Sequence, residues 1–186
     1  MRIVAGAFRG RALASLGKGD AAAHLRPTSD RVRESLFSML THRDVIAGAR
    51  VLDLFAGTGA LGLEALSRGS DSAVFVDNGR TALGLIQKNV NLCRVADRVK
   101  ILRQDAFKLG THDAAPFDLV FLDPPYGKNL GAPALVAALA GGWLAKDATI
   151  VWEEGTDQSL PDGFIVLDQR RFGQTRIAIL GLQTDS

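Results

Sequence analysis

The sequence predicts an α/β fold built on a mostly parallel seven-stranded sheet that ends in an antiparallel hairpin. Three observations predict it. From residue 50 onward, short apolar runs alternate with stretches of helical periodicity. Those runs are apolar throughout rather than at every second residue, as strands covered on both faces are. Near the C-terminus two further runs, Phe164–Leu167 and Arg176–Leu180, flank Gly173-Gln174 and read as a hairpin.

The elements follow in order. Residues 2–16 read as a small N-terminal β-hairpin, with Arg2-Ile3-Val4-Ala5, a turn near Gly6, and a return from Arg9. Gly17, Gly19 and Ala21-Ala22-Ala23 suit a loop. Pro27-Thr28-Ser29-Asp30 supplies helix-capping chemistry, and Val32, Leu36, Met39 and Leu40 mark one helical face. Val51–Phe55 is an apolar strand closed by Gly57 and Gly59, and a helix runs to about Arg68. Strands at Ala73–Asp77, Val99–Leu102, Phe117–Leu122 and Ala148–Trp152 follow, with helices at about 79–92 and 132–140 between them.

The composition is that of a globular protein, 47% hydrophobic and 23% charged over 186 residues. No apolar run reaches the roughly 18 residues that cross a bilayer, and the start lacks a secretory apolar stretch, so no membrane partner is expected. The single cysteine, Cys93, permits no internal disulfide and suits a reducing cytoplasm. One Cys and three scattered His (His24, His42, His112) argue against a metal site. A monomer is expected. The net charge of +2 is unevenly spread. Residues 1–50 hold nine Lys/Arg and four Asp/Glu; the rest hold thirteen and sixteen, with a basic cluster at Arg170, Arg171 and Arg176. Such patches suit a phosphate backbone as readily as a solvated surface.

Gly57-Thr58-Gly59-Ala60-Leu61-Gly62 matches G-x-G-x-x-G, follows a strand and opens a helix. Asp77 ends the next strand, 20 positions after Gly57. The pattern is that of a nucleoside-cofactor loop, in which the acid binds ribose hydroxyls. Asp53 sharpens the choice of cofactor. It lies four residues before Gly57 and should point toward the loop, where a pyrophosphate would meet a like charge. At an effective dielectric of about 20, two unit charges about 4 Å apart interact by roughly 4 kcal/mol. S-adenosyl-L-methionine carries an ammonium and a sulfonium instead, so Asp53 would attract it. Asp105-Ala106-Phe107 follows the third strand, where Asp105 could accept the adenine amine and Phe107 could pack on the ring or in the core.

Asp123-Pro124-Pro125-Tyr126 follows the fourth strand and so faces the same crevice. The two prolines fix φ and remove two donors, and Pro124 holds Asp123 extended. The result is a stiff ledge of acceptors, the Asp123 carboxylate and the Pro124 carbonyl. An exocyclic base amine is a poor nucleophile because its lone pair is delocalised. Two acceptors gripping its N–H bonds favour a pyramidal nitrogen, and Asp123 could take the surplus proton. Tyr126, the only tyrosine, could stack on a base drawn from its helix.

The Asp123–Tyr126 turn together with the Asp53–Gly59 loop resembles class I amino-methyltransferases, whose sheet is Rossmann-like. Nearly the whole chain resembles the bacterial RsmD family. The opening Arg2–Gly6 with Arg9-Gly10-Arg11, the Arg26–Phe37 block, Val51–Gly62, Phe121–Tyr126 and the Phe172–Arg176 hairpin carry the likeness. The resemblance implies methyl transfer from S-adenosyl-L-methionine to N2 of guanine 966 in 16S rRNA, met in the 30S subunit or a late assembly intermediate. It implies an RNA-contacting appendage over residues 1–25 and a methyltransferase domain over 26–186. Cofactor contacts would come from Thr28 and Arg31, near the methionine end, and from Asp53, Phe55, Ala56, Gly57, Thr58, Gly59, Asp77, Asn78, Asp105, Ala106 and Asp123. Asp123, Pro124, Pro125 and Tyr126 would form the catalytic turn. Arg2, Arg9, Arg11, Arg26, Arg33, Arg170, Arg171 and Arg176 would contact RNA. The alanine- and glycine-rich 17–23 loop departs from that pattern.

The residues alone leave other readings open. Adenine N6 or cytosine N4 would suit the same turn, although the chain has no evident domain for reading base edges in DNA. A nicotinamide-dependent oxidoreductase would share the glycine loop, but Asp53 and the lack of an evident hydride-transfer acid oppose it. A non-catalytic RNA-binding module would have no use for Asp123 and Tyr126.

Overall fold

The computed structural model describes residues 1–15, 29–125, 127–155 and 159–183. The seven strands are β1 (Arg50–Leu54), β2 (Ser72–Asp77), β3 (Val99–Arg103), β4 (Phe117–Leu122), β5 (Leu144–Glu154), β6 (Phe164–Phe172) and β7 (Thr175–Leu182). They lie in the order β3-β2-β1-β4-β5-β7-β6. The first five are parallel, and β7 inserts antiparallel between β5 and β6. The chain winds outward from β1 to β3, then returns to place β4 beside β1. That reversal opens a crevice beyond the carboxyl ends of β1 and β4, the usual ligand position in such sheets.

Alternation along each strand builds two layers of core. Val51, Leu119, Phe121 and Val151 face helices α1 (Asp30–His42), α2 (Ala60–Ser67) and α3 (Arg80–Cys93). Leu52, Leu54, Val120, Leu122, Ile150 and Trp152 face α4 (Gly131–Ala140). The central strands β1 and β4 are covered on both faces, which is why their runs are mostly apolar, whereas edge strand β3 is only half-buried.

Three local features differ from the sequence expectation. Helix α1 begins as expected, with the Ser29 hydroxyl accepting from the Val32 N–H at 3.3 Å. Its buried face, however, is Arg33, Leu36, Phe37 and Leu40. Val32 and Met39 are only half-buried. Strand β5 starts at Leu144 rather than 148, because exposed Lys146 and Asp147 and an irregularity opposite β4 obscure its first half. The N-terminal hairpin is reduced to a single bridge, Arg2 opposite Ala12.

That N-terminal segment is nonetheless firmly held. The buried Glu64 carboxylate on α2 accepts from the Val4 and Ala5 N–H groups at 2.8 and 3.0 Å and from Arg68 Nε at 2.9 Å. Ser67 accepts from Phe8 N–H at 2.9 Å and donates to Ala5 O at 2.6 Å. A Cβ at Gly6 would lie 1.9 Å from the Ser67 carbonyl, so only glycine permits this approach. Ile3 and Leu13 complete the seal by entering the core. Among the described residues, no helix is long and apolar enough to cross a membrane.

Candidate active site

The glycine loop leaves β1 through left-handed backbone at Phe55 (φ 59°), Gly57 (φ 57°) and Gly59 (φ 74°). A left-handed phenylalanine is costly, and such residues gather at functional turns. Ala56 N–H bonds to Val76 O at 3.1 Å and Gly59 N–H to Ala56 O at 2.7 Å, fixing the turn against β2. Gly62 is required for packing: a Cβ there would stand 2.5 Å from the Phe75 ring and 3.2 Å from an Asp53 oxygen.

Asp77 serves as the loop's clamp. One carboxylate oxygen accepts from Gly57 N–H at 2.9 Å and the other from Gly79 N–H at 2.8 Å. Each oxygen keeps a lone pair for a ligand hydroxyl. Asn78 donates to Asp105, joining the ends of β2 and β3. Ala106 is buried beside them. Phe107 is half-buried, with the Lys108 ammonium 5.6 Å from its ring centre.

Asp53 lies under the loop rather than at its rim. It is 1% exposed and accepts from Gly62 N–H at 3.0 Å. Burial pushes its carboxyl up to about 8, with the Gly62 N–H opposing and Asp77 adding to the rise. It braces the start of α2.

Asp123 follows β4, and its N–H reaches the Leu54 carbonyl at the end of β1 at 3.4 Å. The ledge therefore stands one strand from the glycine loop. Pro124 is buried and Pro125 half-buried. Asp123 keeps a partial opening to solvent, but its carboxyl is densely surrounded. Burial raises its proton affinity well above the usual carboxylate range, followed by the charges of Glu153, Asp53 and Glu154. Glu153 and Glu154 are site residues that the sequence motifs do not reveal. The signal was present in the register, because Asp123 and Glu153 are the next residues after the paired Leu122 and Trp152. Glu154 is 5% exposed, and its carboxyl is likewise raised by burial, opposed by nearby Gly155 N–H and Trp152. Neither of these makes a hydrogen bond of good geometry with it, so both Glu154 oxygens and the Trp152 indole N–H lack a partner.

The expected cationic surface is sorted by the structure. Arg33 is a correction: it is 0% exposed, and its Nη2 donates to Asp30 at 2.6 Å and to the Arg2 carbonyl at 2.5 Å. Its place at spacing 33-36-37-40 puts it on the buried face of α1, so it braces the N-terminal segment and offers nothing to a phosphate. Arg11 is engaged within the protein, donating to Leu92 O at 2.9 Å and lying 5.6 Å from the Phe8 ring centre. Arg9, Arg2, Arg170 and Arg171 are exposed. Arg2 pairs with Asp30 at 3.4 Å and Arg170 with Asp168 at 3.4 Å. Arg171 donates to Gly173 O at 3.0 Å, and Arg176 is half-buried on β7. Arg31 is exposed on the first turn of α1. Thr28, Arg26, the 17–23 loop and Tyr126 lie outside the described residues.

A family described as conserved hypothetical protein 95 matches residues 1–181. The chain belongs to this family, the RsmD family of the sequence analysis. Relatives named ribosomal RNA small subunit methyltransferase D include the following two. The Escherichia coli (strain K12) protein is 37% identical over 87% of this chain and 78% of its own length. The Haemophilus influenzae protein is 34% identical over 93% and 89%. Among solved structures, yhhF from Escherichia coli matches with a TM-score of 0.85 at 32% identity, covering 100% of this chain and 99% of that one. The RsmD fold is thus a class I methyltransferase fold, with a mostly parallel seven-stranded sheet and an antiparallel final pair.

Proposed function

We propose that this protein transfers a methyl group from S-adenosyl-L-methionine to the exocyclic N2 of guanine 966 in 16S rRNA. The substrate would be the 30S subunit or a late assembly intermediate. The observation that carries the reading is the union of ledge and loop, with the Asp123 N–H bonded to Leu54 beside the glycine turn. The printed names of the relatives support an rRNA substrate. The position and the N2 atom rest on the family resemblance.

The residues present fit this cofactor. Asp53, Asp77, Asp105 and Asp123 gather toward the carboxyl ends of β1 to β4, a set of acceptors suited to a cation and hostile to a pyrophosphate. When bound, the cofactor supplies an electrophilic methyl on a sulfonium. Asp77 would hold the ribose hydroxyls with its free lone pairs, and Asp105 the adenine amine. Phe55, Ala56, Gly57, Thr58 and Gly59 would line the cofactor, with Asn78 and Ala106 framing the adenine end. Thr28 and Arg31 would meet the methionine end.

Catalysis would then be positioning plus proton acceptance. The Pro124 carbonyl and the Asp123 carboxylate would each accept an N–H of the target amine. Asp123 would take the proton released on transfer. Its raised proton affinity suits that task, since the ordinary carboxylate range lies far below neutrality. Tyr126 would stack on the extruded base, and Pro125 would stiffen the turn. Arg2, Arg9, Arg26, Arg170, Arg171 and Arg176 would meet phosphates, the N-terminal segment serving as the RNA-contacting appendage.

The test is transfer of a labelled methyl group from S-adenosyl-L-methionine to 30S subunits lacking the modification, with naked 16S rRNA and duplex DNA in parallel. Labelling of one guanine in 16S rRNA is expected. Labelling of DNA alone, or of another RNA atom, would sink the assignment.

A further inference from the structure

Asn89 is a fully buried amide in the middle of α3, on the apolar face that carries Ile86, Val90 and Cys93. Its neighbours explain its presence. Oδ1 accepts from the Ala14 N–H at 2.7 Å, while Nδ2 donates to the Ala14 carbonyl at 3.0 Å and to the Thr58 carbonyl at 2.9 Å. One side chain thus brackets the backbone at the end of the N-terminal segment and holds the glycine loop at its second residue. A weaker contact runs parallel to it, from the Thr58 hydroxyl to Met1 Sδ at 3.9 Å. The other anchors of the segment, Glu64, Ser67 and Arg11, reach α2 and the end of α3 but not the loop.

We infer that Asn89 is a positioning residue that relays occupancy of the glycine loop to the basic N-terminal segment, so that cofactor and RNA bind with linked affinities. The inference rests on the proposed function for the identity of both ligands. Its physical basis is that a buried amide with three bonds has no alternative partners. A shift of the Thr58 carbonyl must therefore either break a bond that is costly to leave unmade or carry the Ala14 backbone with it. Coupling of this kind is reciprocal: whatever the cofactor does to RNA affinity, RNA does to cofactor affinity.

The experiment uses the full chain and S-adenosylhomocysteine as the probe. Hydrogen exchange is followed at the amides of Ile3, Gly10, Leu13 and Ala14, with and without the probe. In the wild type, probe binding should slow exchange at these amides several-fold, although the segment is not proposed to touch the probe. Asn89→Asp keeps the acceptor and removes both donations, and it should abolish that slowing. It should also raise the KM for cofactor about tenfold with kcat little changed, the pattern of lost uniform binding. Should the buried charge prevent folding, Ala14→Pro removes one bond from the segment's side and leaves the bond to Thr58 in place. With the Asn89 bond to the Ala14 carbonyl still in place, it should weaken the slowing, read at Ile3, Gly10 and Leu13, the three of these amides that the variant retains. A merely structural Asn89 would lower thermal stability in both variants while probe-induced slowing persisted, and that result overturns the relay. Wild-type protein that binds the probe without slowing these amides overturns it as well. Wild-type protein that does not bind the probe at all overturns the cofactor reading, and the relay with it. A final arm measures 16S rRNA affinity with and without probe. RNA binding that is independent of the probe refutes linked affinities alone, whereas absence of RNA binding refutes the substrate reading.

Discussion

The two halves of the crevice treat their carboxylates differently. At the ends of β1 and β2, backbone amides hold them: Asp77 receives two N–H bonds and Asp53 one. At the ends of β4 and β5, Asp123, Glu153 and Glu154 crowd together, and burial with mutual repulsion raises Asp123. The first half is a finished cradle whose acids fix a loop. The second stores unfavourable charge until a proton or a cation arrives. Burial raises Asp53 as it raises Asp123, so the halves differ in what holds the carboxylates, backbone amides in one and neighbouring acids in the other, and one sheet supplies both by reversing its winding between β1 and β4.

The sharpest break of this comparison is Asp123→Asn. The variant keeps the shape of the ledge and removes the base. Methyl transfer should fall by about 10²–10⁴-fold, the usual worth of a positioned acid or base. S-adenosylhomocysteine affinity, read by calorimetry, should change only a few-fold. Equal losses in both would mean that Asp123 belongs to the cradle rather than to the reacting half.

Gly62→Ala attacks the cradle from behind. Its Cβ would stand 2.5 Å from the Phe75 ring, and overpacking of this kind costs about 1–3 kcal/mol. Thermal unfolding should show the loss, and cofactor affinity should fall with it because Gly62 N–H also holds Asp53. Adding Phe75→Leu should recover part of the stability. No recovery would place the strain elsewhere in the loop.

Much of this architecture is legible in the residues. The strands β1 to β4 are short, mostly apolar runs, and the loop and ledge are motifs whose chemistry follows from their residue types. What is hidden has a common cause: polar residues that point inward. Arg33, Glu64 and Asn89 read as surface residues by type, yet all three are buried because the N-terminal segment covers them with its own backbone groups. That segment forms one bridge rather than two strands, so no periodicity announces where it docks. Glu153 and Glu154 are hidden for a related reason. They end a strand whose first half is interrupted by exposed Lys146 and Asp147, so the true extent of β5 is obscured.

The halves share one pH-dependent feature, because burial raises Asp53 under the loop as it raises Asp123 on the ledge. Asp53 is raised from its unfolded value of 3.8 to about 8. A raised acid contributes stability fully below its unfolded value and loses it as pH rises through the folded one. The free protein should therefore lose stability between about pH 4 and pH 8, and Asp53→Asn should flatten that slope. Binding of S-adenosylhomocysteine near pH 7 should release protons as its ammonium replaces them. Calorimetry in two buffers of different ionisation enthalpy reads this directly, and identical heats would contradict it.

The smallest expected effect is Glu154→Gln, which probes whether the charge stored at the end of β5 carries a cost of its own. The Glu154 carboxyl and the Trp152 indole N–H are both buried without a well-formed bond. At pH 4 the native carboxyl is protonated in folded and unfolded chains alike, so the substitution should be nearly neutral. As pH rises past the ordinary glutamate value of 4.5, the unfolded chain ionises more readily than the folded one, and the wild type loses stability that the amide does not. At pH 8 the variant should be more stable by up to about 1 kcal/mol, the scale of one unmade polar bond. Melting temperatures at the two pH values decide it. A gain of equal size at both would trace the effect to packing, and a loss at pH 8 would mean that Glu154 in the folded protein has a stabilising partner when charged.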